Sequence, residues 1–428
     1  MHKRTFFGLL GLLVIIAALG VYGWFWRPAL APIAPPAAAA FSPQLVAKGA
    51  MLAGIGNCAA CHTVKGGAPL AGGLGLATPF GTIYSTNLTP DPDTGIGRWS
   101  PQAFKRAMRE GVRRDGAHLF PVFPYTHFNL VNDEDLTALY AYCMTRPAVS
   151  APAKQNTVPF PLSVRAMQAG WKLLYFRPAQ YDTGLAKSVD WNRGRYLAEG
   201  LAHCAACHTP RNSLGAERSA AAYLGAPIDG WFAPALTAAN TAPLPWTESE
   251  LYAFLRSGAS TLHGAATGPM AAVVHQGLSL APDVDVHALA TYFADLDGAA
   301  APQPAADLAA LMARSAQVRG QYNDRGAALY LAACASCHSN SDGKPAALRP
   351  ELGLNSALTA AAPVNLVQVI LHGVGRGRPG ALMPGFAGAL SDVDIAQVAA
   401  YLRRSRTTLP PWSDLDASIA EARRNSQP

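Results

Sequence analysis

One five-residue motif occurs three times in this chain of 428 residues and constrains its fold more than any other feature. The copies of Cys-x-x-Cys-His are Cys58-Ala59-Ala60-Cys61-His62, Cys204-Ala205-Ala206-Cys207-His208 and Cys334-Ala335-Ser336-Cys337-His338. This is the attachment motif of c-type haem. On one helical turn the two thiols of each copy can form thioethers to the vinyl groups, while the histidine supplies the proximal iron ligand. We therefore predict three covalently bound haem c groups.

Three other uses of paired cysteines are disfavoured by the same spacing. Zinc needs four ligands, and the copies lie too far apart along the chain to act as paired knuckles. A redox dithiol does not require a histidine after every second cysteine. Structural disulfides are the third alternative, and they leave the histidines equally unexplained.

Each motif lies inside a longer repeat that predicts a small helical domain. A glycine precedes the first cysteine by eight to ten residues, at Gly49, Gly194 and Gly326. Each repeat closes with an acidic helix start followed by an apolar helix, in which a tyrosine follows the last aspartate by seven residues, at Tyr142, Tyr292 and Tyr401. Seven residues are two helical turns, so one face recurs. We expect this face to pack on the amino-terminal helix of its repeat, with the tyrosine in the core. The fold class is therefore all-α, with three tandem class I-like cytochrome c domains.

Methionines supply the expected distal ligands of two haems. Each repeat carries a further glycine between the haem motif and the closing helix, at Gly111, Gly258 and Gly373. Met270 follows Gly258 by twelve residues, and Met383 follows Gly373 by ten. A thioether opposite histidine stabilises ferrous iron and raises the reduction potential. We assign Met270 and Met383 as iron ligands, with core filling as the alternative.

The first repeat lacks the corresponding methionine. Phe123 stands twelve residues after Gly111 and cannot ligate iron. His127 is the favoured replacement, which would give bis-histidine ligation and a lower potential, while His118, Met108 and a five-coordinate iron remain open. The seventh cysteine, Cys143, is expected to be a buried free thiol.

The amino terminus predicts export and tethering. Residues 6–26 carry no charge, follow Lys3 and Arg4, and are long enough to span a bilayer as a helix. Positive charge ahead of the run places the following domains on the periplasmic side of the cytoplasmic (inner) membrane. A cleaved signal peptide is the alternative, because Ala29-Leu30-Ala31 has the shape of a cleavage site.

The remaining boundaries follow from the repeats and from the proline-rich stretches between them. An apolar, aromatic stretch at 167–177 could lie against the membrane, against a partner subunit, or as a helix packed between domains. The polar tail is expected at the surface or around a neighbour. The expected division is a 1–27 anchor or signal, a 28–40 tether, domain 1 at 41–147, a connection at 148–189, domain 2 at 190–296, a linker at 297–319, domain 3 at 320–406 and a tail at 407–428.

Composition and motifs argue against other functions. The net charge is +7, but no run of five basic residues occurs, which disfavours nucleic-acid binding. No phosphate loop, catalytic triad or paired-carboxylate motif stands out, so a substrate-oxidising site on this chain is not expected. Two other classes stay open, a haem peroxidase or reductase and a gas-binding sensor. Each would use an open coordination position at the first haem.

Several segments resemble the membrane-bound triheme cytochrome c subunits of bacterial periplasmic dehydrogenases. The resemblance covers essentially the whole chain after the anchor and is carried by residues 80–91, 94–97 with Trp99, and 207–212. It implies electron transfer from a partner dehydrogenase to ubiquinone. Partners in this family are quinoprotein alcohol dehydrogenases, flavin-containing gluconate or sorbitol-type dehydrogenases, and molybdopterin/iron–sulfur aldehyde dehydrogenases with related N-heterocycle hydroxylases.

Local features are most similar to the molybdopterin branch of that family. These are residues 26–28 and 31–33 after the anchor, Phe123-Pro124-Tyr125 with His127-Phe128, and residues 170–174. The resemblance then implies a large molybdopterin subunit and a small [2Fe–2S] subunit as partners. If Phe123 is typical of this branch, an altered ligand at the first haem is a shared trait.

Overall fold

The computed structural model describes residues 25–182, 187–298, 305–317, 323–338, 351–375 and 383–425. They fall into two compact units. Unit 1 comprises the described residues up to 182 together with 199–203 and 213–216, and unit 2 contains the rest. Within the described ranges, no helix combines the length and apolar character needed to cross a bilayer. The predicted anchor, residues 1–27, falls almost entirely outside these ranges.

Unit 1 contains the first predicted domain and most of the connection after it. Its helices and strands are α1 (Pro43–Ile55), α2 (Cys58–His62), β1 (Gly75–Thr78), β2 (Gly81–Tyr84), α3 (Pro101–Glu110), α4 (Tyr125–Phe128), α5 (Asp133–Met144) and α6 (Met167–Tyr175). Ser42 and Ser100 start α1 and α3 as N-caps, each followed by a proline. The side chains of Leu52, Ile55 and Leu136 are almost completely buried and form the centre of the unit.

Unit 2 contains the third predicted domain and the second, except for residues 199–203 and 213–216, which belong to unit 1. Its helices and strands are α7 (Val189–Tyr196), α8 (Ala205–His208), β3 (Ala226–Ile228), β4 (Trp231–Ala233), α9 (Glu248–Ser257), β5 (Ala259–Ser260), β6 (Gly264–Ala265), α10 (Gly268–Gln276), α11 (Asp283–Asp297), α12 (Ala305–Gln317), α13 (Arg325–Ala333), α14 (Ala335–His338), α15 (Ser356–Thr359), α16 (Val364–His372), α17 (Asp392–Arg406) and α18 (Leu415–Asn425). Strands pair only as two-stranded antiparallel ladders in the described residues: β1 with β2, β3 with β4, and β5 with β6. The expectation of an all-α chain did not include these short ladders.

The same helix crossing occurs three times. The first and last helices of each repeat pack together as α1 with α5, α7 with α11, and α13 with α17. At each crossing a glycine faces backbone of the closing helix: a Cβ on Gly49, Gly194 or Gly326 would overlap a carbonyl oxygen and stand 2.7, 2.8 or 2.9 Å from the Cβ of Tyr142, Tyr292 or Tyr401. Only glycine permits this approach. The predicted packing of these faces is confirmed.

An ion pair accompanies each crossing. The residue before the glycine is a cation in every repeat, and its partner is an aspartate in the first turn of the closing helix. The pairs are Lys48 Nζ to Asp135 Oδ1 at 2.8 Å, Arg193 Nε to Asp285 Oδ1 at 2.7 Å, and Arg325 Nε to Asp394 Oδ1 at 2.9 Å. The aspartates were recognised in the sequence as helix starts, but their cations were not.

Two expectations about the connecting segments change. The linker at 297–319 contains a helix, α12. The tail was expected at the surface or around a neighbour, but its apolar residues pack into the core of the third repeat. Trp412 is 9% exposed, Ile419 1% and Ala422 2%, and all three belong to the core that α16 and α17 form. The apolar positions 415, 419 and 422 give α18 one buried face, and Trp412 lies just before the helix.

Candidate haem-binding sites

The three Cys-x-x-Cys-His motifs each form a single helical turn, as their spacing predicts. The first occupies α2 from Cys58 to His62, whereas α8 and α14 begin one residue after Cys204 and Cys334. All seven cysteines lie in the described ranges and none is in a disulfide. No group of three or more His, Cys, Asp or Glu side chains in the described ranges is placed to hold a metal ion. The zinc and disulfide alternatives therefore gain no support.

Backbone carbonyls orient the predicted proximal histidines of the first two repeats. His62 Nδ1 lies 2.6 Å from the carbonyl oxygen of Thr86, and His208 Nδ1 lies 2.7 Å from that of Pro234. An Nδ1–H that donates to a carbonyl fixes the tautomer with Nε2 unprotonated, the nitrogen that ligates iron. Burial lowers the pKa of both imidazoles below the usual range and outweighs the raising effect of the carbonyl bond. Both rings are thus neutral and oriented by their Nδ1 atoms, which leaves Nε2 available to a haem iron.

Short β ladders place these carbonyls. Gly75 pairs with Tyr84 in the first ladder, and Thr86 follows two residues later. Ala226 pairs with Ala233 in the second, and Pro234 is the next residue. The histidine and its acceptor are 24 residues apart in one repeat and 26 in the other. These acceptors could not be predicted from the sequence, because every residue type carries a backbone carbonyl.

Loops that follow glycine-capped helices carry the predicted distal ligands. Gly111, Gly258 and Gly373 end α3, α9 and α16, all with positive φ. Met270 lies in the first turn of α10 and is partly buried. Met383 pairs with Val374 in an isolated bridge and is also partly buried. Both methionines lie between the capping glycine and the closing helix of their repeat, as expected. Their ligation of iron stays a prediction.

His127 has the hydrogen-bonding pattern of a proximal histidine. It is 8% exposed on α4, and its Nδ1 lies 2.7 Å from the carbonyl oxygen of Glu199, within unit 1. His62 and His208 use the same ring nitrogen in the same way. Phe123 stands at the sequence position where the second repeat has Met270. It packs edge to face against Phe128, with 5.3 Å between the ring centroids. This pattern supports His127 as the sixth ligand of the first haem.

His118 is engaged at both ring nitrogens. Its Nδ1 lies 3.0 Å from Lys172 Nζ and accepts a hydrogen bond from it, and its Nε2 lies 3.2 Å from the carbonyl oxygen of Phe25. Burial and the nearby Lys172 lower the pKa of His118 to about 4, so the ring is neutral. Ligation by His118 would require one of these bonds to break. Met108 is 8% exposed on α3, packed in the core of unit 1.

Lys172 is a buried cation that the sequence analysis did not single out. Its Nζ donates to the carbonyl oxygens of Glu110 at 2.5 Å and Gly111 at 2.8 Å, which are the last carbonyls of α3. It also lies 4.7 Å from the centre of the Tyr125 ring. Burial lowers the pKa of Lys172 to about 7. The residue fixes α6 to the end of α3, next to the loop that carries His127.

Cys143 is buried and free, as expected.

Comparisons with known proteins agree with this geometry. The profile of the cytochrome c family matches residues 46–146, and the profile described as cytochrome c oxidase, cbb3-type, subunit III matches residues 321–402. The fructose dehydrogenase cytochrome subunit of Gluconobacter japonicus is 39% identical over 87% of this chain and 81% of its own length. The gluconate 2-dehydrogenase cytochrome c subunit of Pantoea cypripedii is 41% identical over 84% of this chain and 85% of its own. This chain belongs to the family of dehydrogenase cytochrome c subunits.

A further relative has a different length. A nicotinate dehydrogenase subunit of Pseudomonas putida is 44% identical over 96% of this chain, but the match covers 34% of that protein. Membership of the family implies that the cytochrome c domains of this chain bind haem c covalently.

Proposed function

We propose that this chain is a three-haem cytochrome subunit that passes electrons from a periplasmic dehydrogenase to ubiquinone in the cytoplasmic membrane. The observation that carries the count is the threefold helix crossing. Each crossing combines glycine, tyrosine and an ion pair, and each stands beside a Cys-x-x-Cys-His turn. Three copies of the framework support three domains, each with one haem.

The residues proposed to hold the haems have distinct tasks. Cys58, Cys61, Cys204, Cys207, Cys334 and Cys337 form the thioethers, and His62, His208 and His338 are the proximal ligands. Met270 and Met383 complete the second and third sites, and His127 completes the first. Haem iron supplies one-electron transfer. The protein sets its potential through the axial ligand, and methionine gives a higher potential than a second imidazole.

Our proposed partner is a dehydrogenase of the molybdopterin/iron–sulfur type, with a large molybdopterin subunit and a small [2Fe–2S] subunit. Aldehyde oxidation is the favoured reaction, on the resemblance of residues 123–128 and 170–174 to that branch. The relative named as a nicotinate dehydrogenase subunit favours an N-heterocycle as a second candidate substrate. A gluconate-type or quinoprotein alcohol dehydrogenase is the alternative partner, since relatives named as cytochrome c subunits of such enzymes are 41% and 38% identical to this chain.

Attachment to the membrane through residues 1–27 is part of the proposal. It rests on the uncharged run at 6–26, which has the length of a membrane-spanning helix. Haem domains on the periplasmic side would then face the partner enzyme, with ubiquinone available in the bilayer.

One purification tests the main claims. The detergent-solubilised complex is isolated from native membranes, and its haem content per chain is measured together with molybdenum, flavin and quinoprotein cofactor. Three haems per chain with molybdenum and two accompanying subunits are expected. Flavin or quinoprotein cofactor without molybdenum would overturn the partner assignment, and two haems or fewer would overturn the count.

A further inference from the structure

Helix α6 buries polar side chains and exposes apolar ones. Its buried residues include Gln168 and Lys172, at 7% and 5% exposure, while Met167, Leu173 and Leu174 are 45%, 56% and 57% exposed. Gly170 lies on the same outward side, with open space where a Cβ would stand. A helix on the surface of a soluble unit normally buries its apolar side. The outward face of α6 is therefore left uncovered by the described residues of unit 1.

The turn before α6 extends this apolar surface. Phe160 is 83% exposed, Leu162 37% and Val164 43%. With Met167, Leu173 and Leu174 these residues form what we call the α6 surface. Scattered exposed apolar residues need no explanation, but six within fifteen consecutive residues form a patch of the kind that marks an interaction site.

A chain of hydrogen bonds connects this surface to the end of the amino-terminal apolar run. Phe25 and Trp26 are the last residues of that run, and the carbonyl oxygen of Phe25 lies 3.2 Å from His118 Nε2. His118 Nδ1 in turn lies 3.0 Å from Lys172 Nζ, directly before Leu173. The imidazole of His118 therefore links the end of the apolar run to α6. Trp26 is 53% exposed there, and tryptophan is enriched where a chain enters a bilayer.

Charge around the surface matches a lipid headgroup layer. Arg177 is exposed at the end of α6, where its Nη1 donates to the carbonyl oxygens of Leu173 and Phe176. Arg165 lies within the segment, with its guanidinium 4.0 Å from the centre of the Phe120 ring. Cations beside an apolar helical face are typical of helices that lie in the membrane interface. The net charge of +7 adds attraction to anionic lipids.

We propose that the α6 surface is a second membrane-contact site, which rests in the headgroup and upper acyl region of an anionic bilayer. This inference depends on the proposed anchor, because the anchor brings α6 to the membrane. Its consequence is that unit 1 meets the bilayer at two places, the anchor and the α6 surface, which together set its orientation on the membrane.

Spin labels on the full haem-loaded chain test the proposal. Leu174→Cys and Val164→Cys are labelled separately in nanodiscs of phosphatidylcholine and phosphatidylglycerol, with the unsubstituted chain as the labelling blank. Asp93→Cys is the matched control in unit 1, because the Asp93 side chain is 78% exposed and belongs in water. Accessibility to oxygen, which concentrates in lipid, is compared with accessibility to a water-soluble nickel complex.

The expected pattern is several-fold higher oxygen than nickel accessibility at 164 and 174, and the reverse at 93. Nickel access at all three sites, with the chain still bound to nanodiscs, would overturn the α6 proposal and leave the anchor standing. Protection of 164 and 174 from both reagents in the purified complex would mean that a protein covers the surface, which also overturns it. Failure of the chain to bind nanodiscs at all would overturn the anchor and the α6 proposal together.

Discussion

The first and second repeats share a framework and differ in the loop that faces the predicted haem. Both have a glycine at the helix crossing, an ion pair beside it, a helix capped by glycine, and a histidine oriented by a carbonyl after a β ladder. After the capping glycine, however, the second repeat places Met270 at the start of a helix, whereas the first places His127 on a short helix between the buried Tyr125 and Phe128. The framework sets the fold of each repeat, and the loop is free to set the ligand.

Loss of His127 should have the largest effect, and it should be confined to one haem. His127→Ala removes the sixth ligand, so one third of the haem should become high-spin and bind carbon monoxide after reduction. His127→Met is the matched variant, because it should restore a low-spin haem at a higher potential. Absorption spectra of the oxidised and reduced chain report both changes. An unchanged low-spin spectrum for His127→Ala would assign the ligand elsewhere and leave the peroxidase and gas-sensor readings without support as well.

A side chain at a crossing glycine should destabilise its repeat strongly. In Gly194→Val the new side chain would collide with the backbone carbonyl of Ala288, which cannot move without displacing α11. We expect a loss of about 3 kcal/mol in the free energy of unfolding, the upper range for overpacking. Denaturant unfolding of the holoprotein checks this. The control is Gly388→Ala, where nothing stands within 4 Å of the new Cβ and little change is expected. Equal losses in both variants would contradict the shared framework.

Removal of the Lys172 amine should weaken the first repeat alone. Lys172→Met keeps the length of the side chain but removes the amine that donates to the carbonyls of Glu110 and Gly111, and the Gly111 carbonyl keeps only the backbone N–H of Leu119. We expect a cost of about 2 kcal/mol, from two or three hydrogen bonds at about 1 kcal/mol each. Differential scanning calorimetry should show one transition shifted and the others retained. A uniform shift would mean that the helix docking of α6 is not local to unit 1.

The same lysine gives a pH dependence with a definite sign. Its pKa is lowered to about 7 by burial, with Arg27 acting in the same direction and Glu110 against it, while His118 and the Tyr125 ring also face the amine. Because the unfolded chain binds this proton more tightly, the stability of the wild type relative to Lys172→Met should rise between pH 7 and about 10.5. Denaturant midpoints measured across that range test it. A difference that falls with pH would contradict a buried amine of lowered pKa.

The ion pairs should give the smallest effects, graded by burial. Asp285 has a side chain only 5% exposed and pairs with Arg193, which is 34% exposed, so Asp285→Asn should cost about 1 kcal/mol. Asp394→Asn should cost less, because the Asp394 side chain is 14% exposed and its partner Arg325 is 64% exposed. Burial of the ion pair is thus the predicted determinant. The order is checked by denaturant unfolding of both variants, and a larger loss for Asp394→Asn would reverse it.

The sequence predicted what repeats and missed what connects distant residues. The haem turns and the tyrosines of the closing helices have fixed spacings, and the crossing glycines vary by only two residues, so comparison of three copies was enough. Thr86 and Pro234 act through backbone carbonyls, which no residue type reveals. Lys172 lies 61 residues from Gly111, whose carbonyl it binds, and a lone lysine in an apolar stretch gives no sign of its partner. The buried face of the tail was not predicted, because polar and charged residues separate its apolar positions 412, 415, 419 and 422.

Low-temperature electron paramagnetic resonance of the oxidised, purified chain, combined with its haem content, distinguishes the axial ligands of the three proposed haems. We expect three low-spin ferric haems per chain, two of the histidine–methionine type and one of the bis-histidine type. Three histidine–methionine signals, a high-spin signal at the first site, or fewer than three haems would contradict a common framework with one altered ligand.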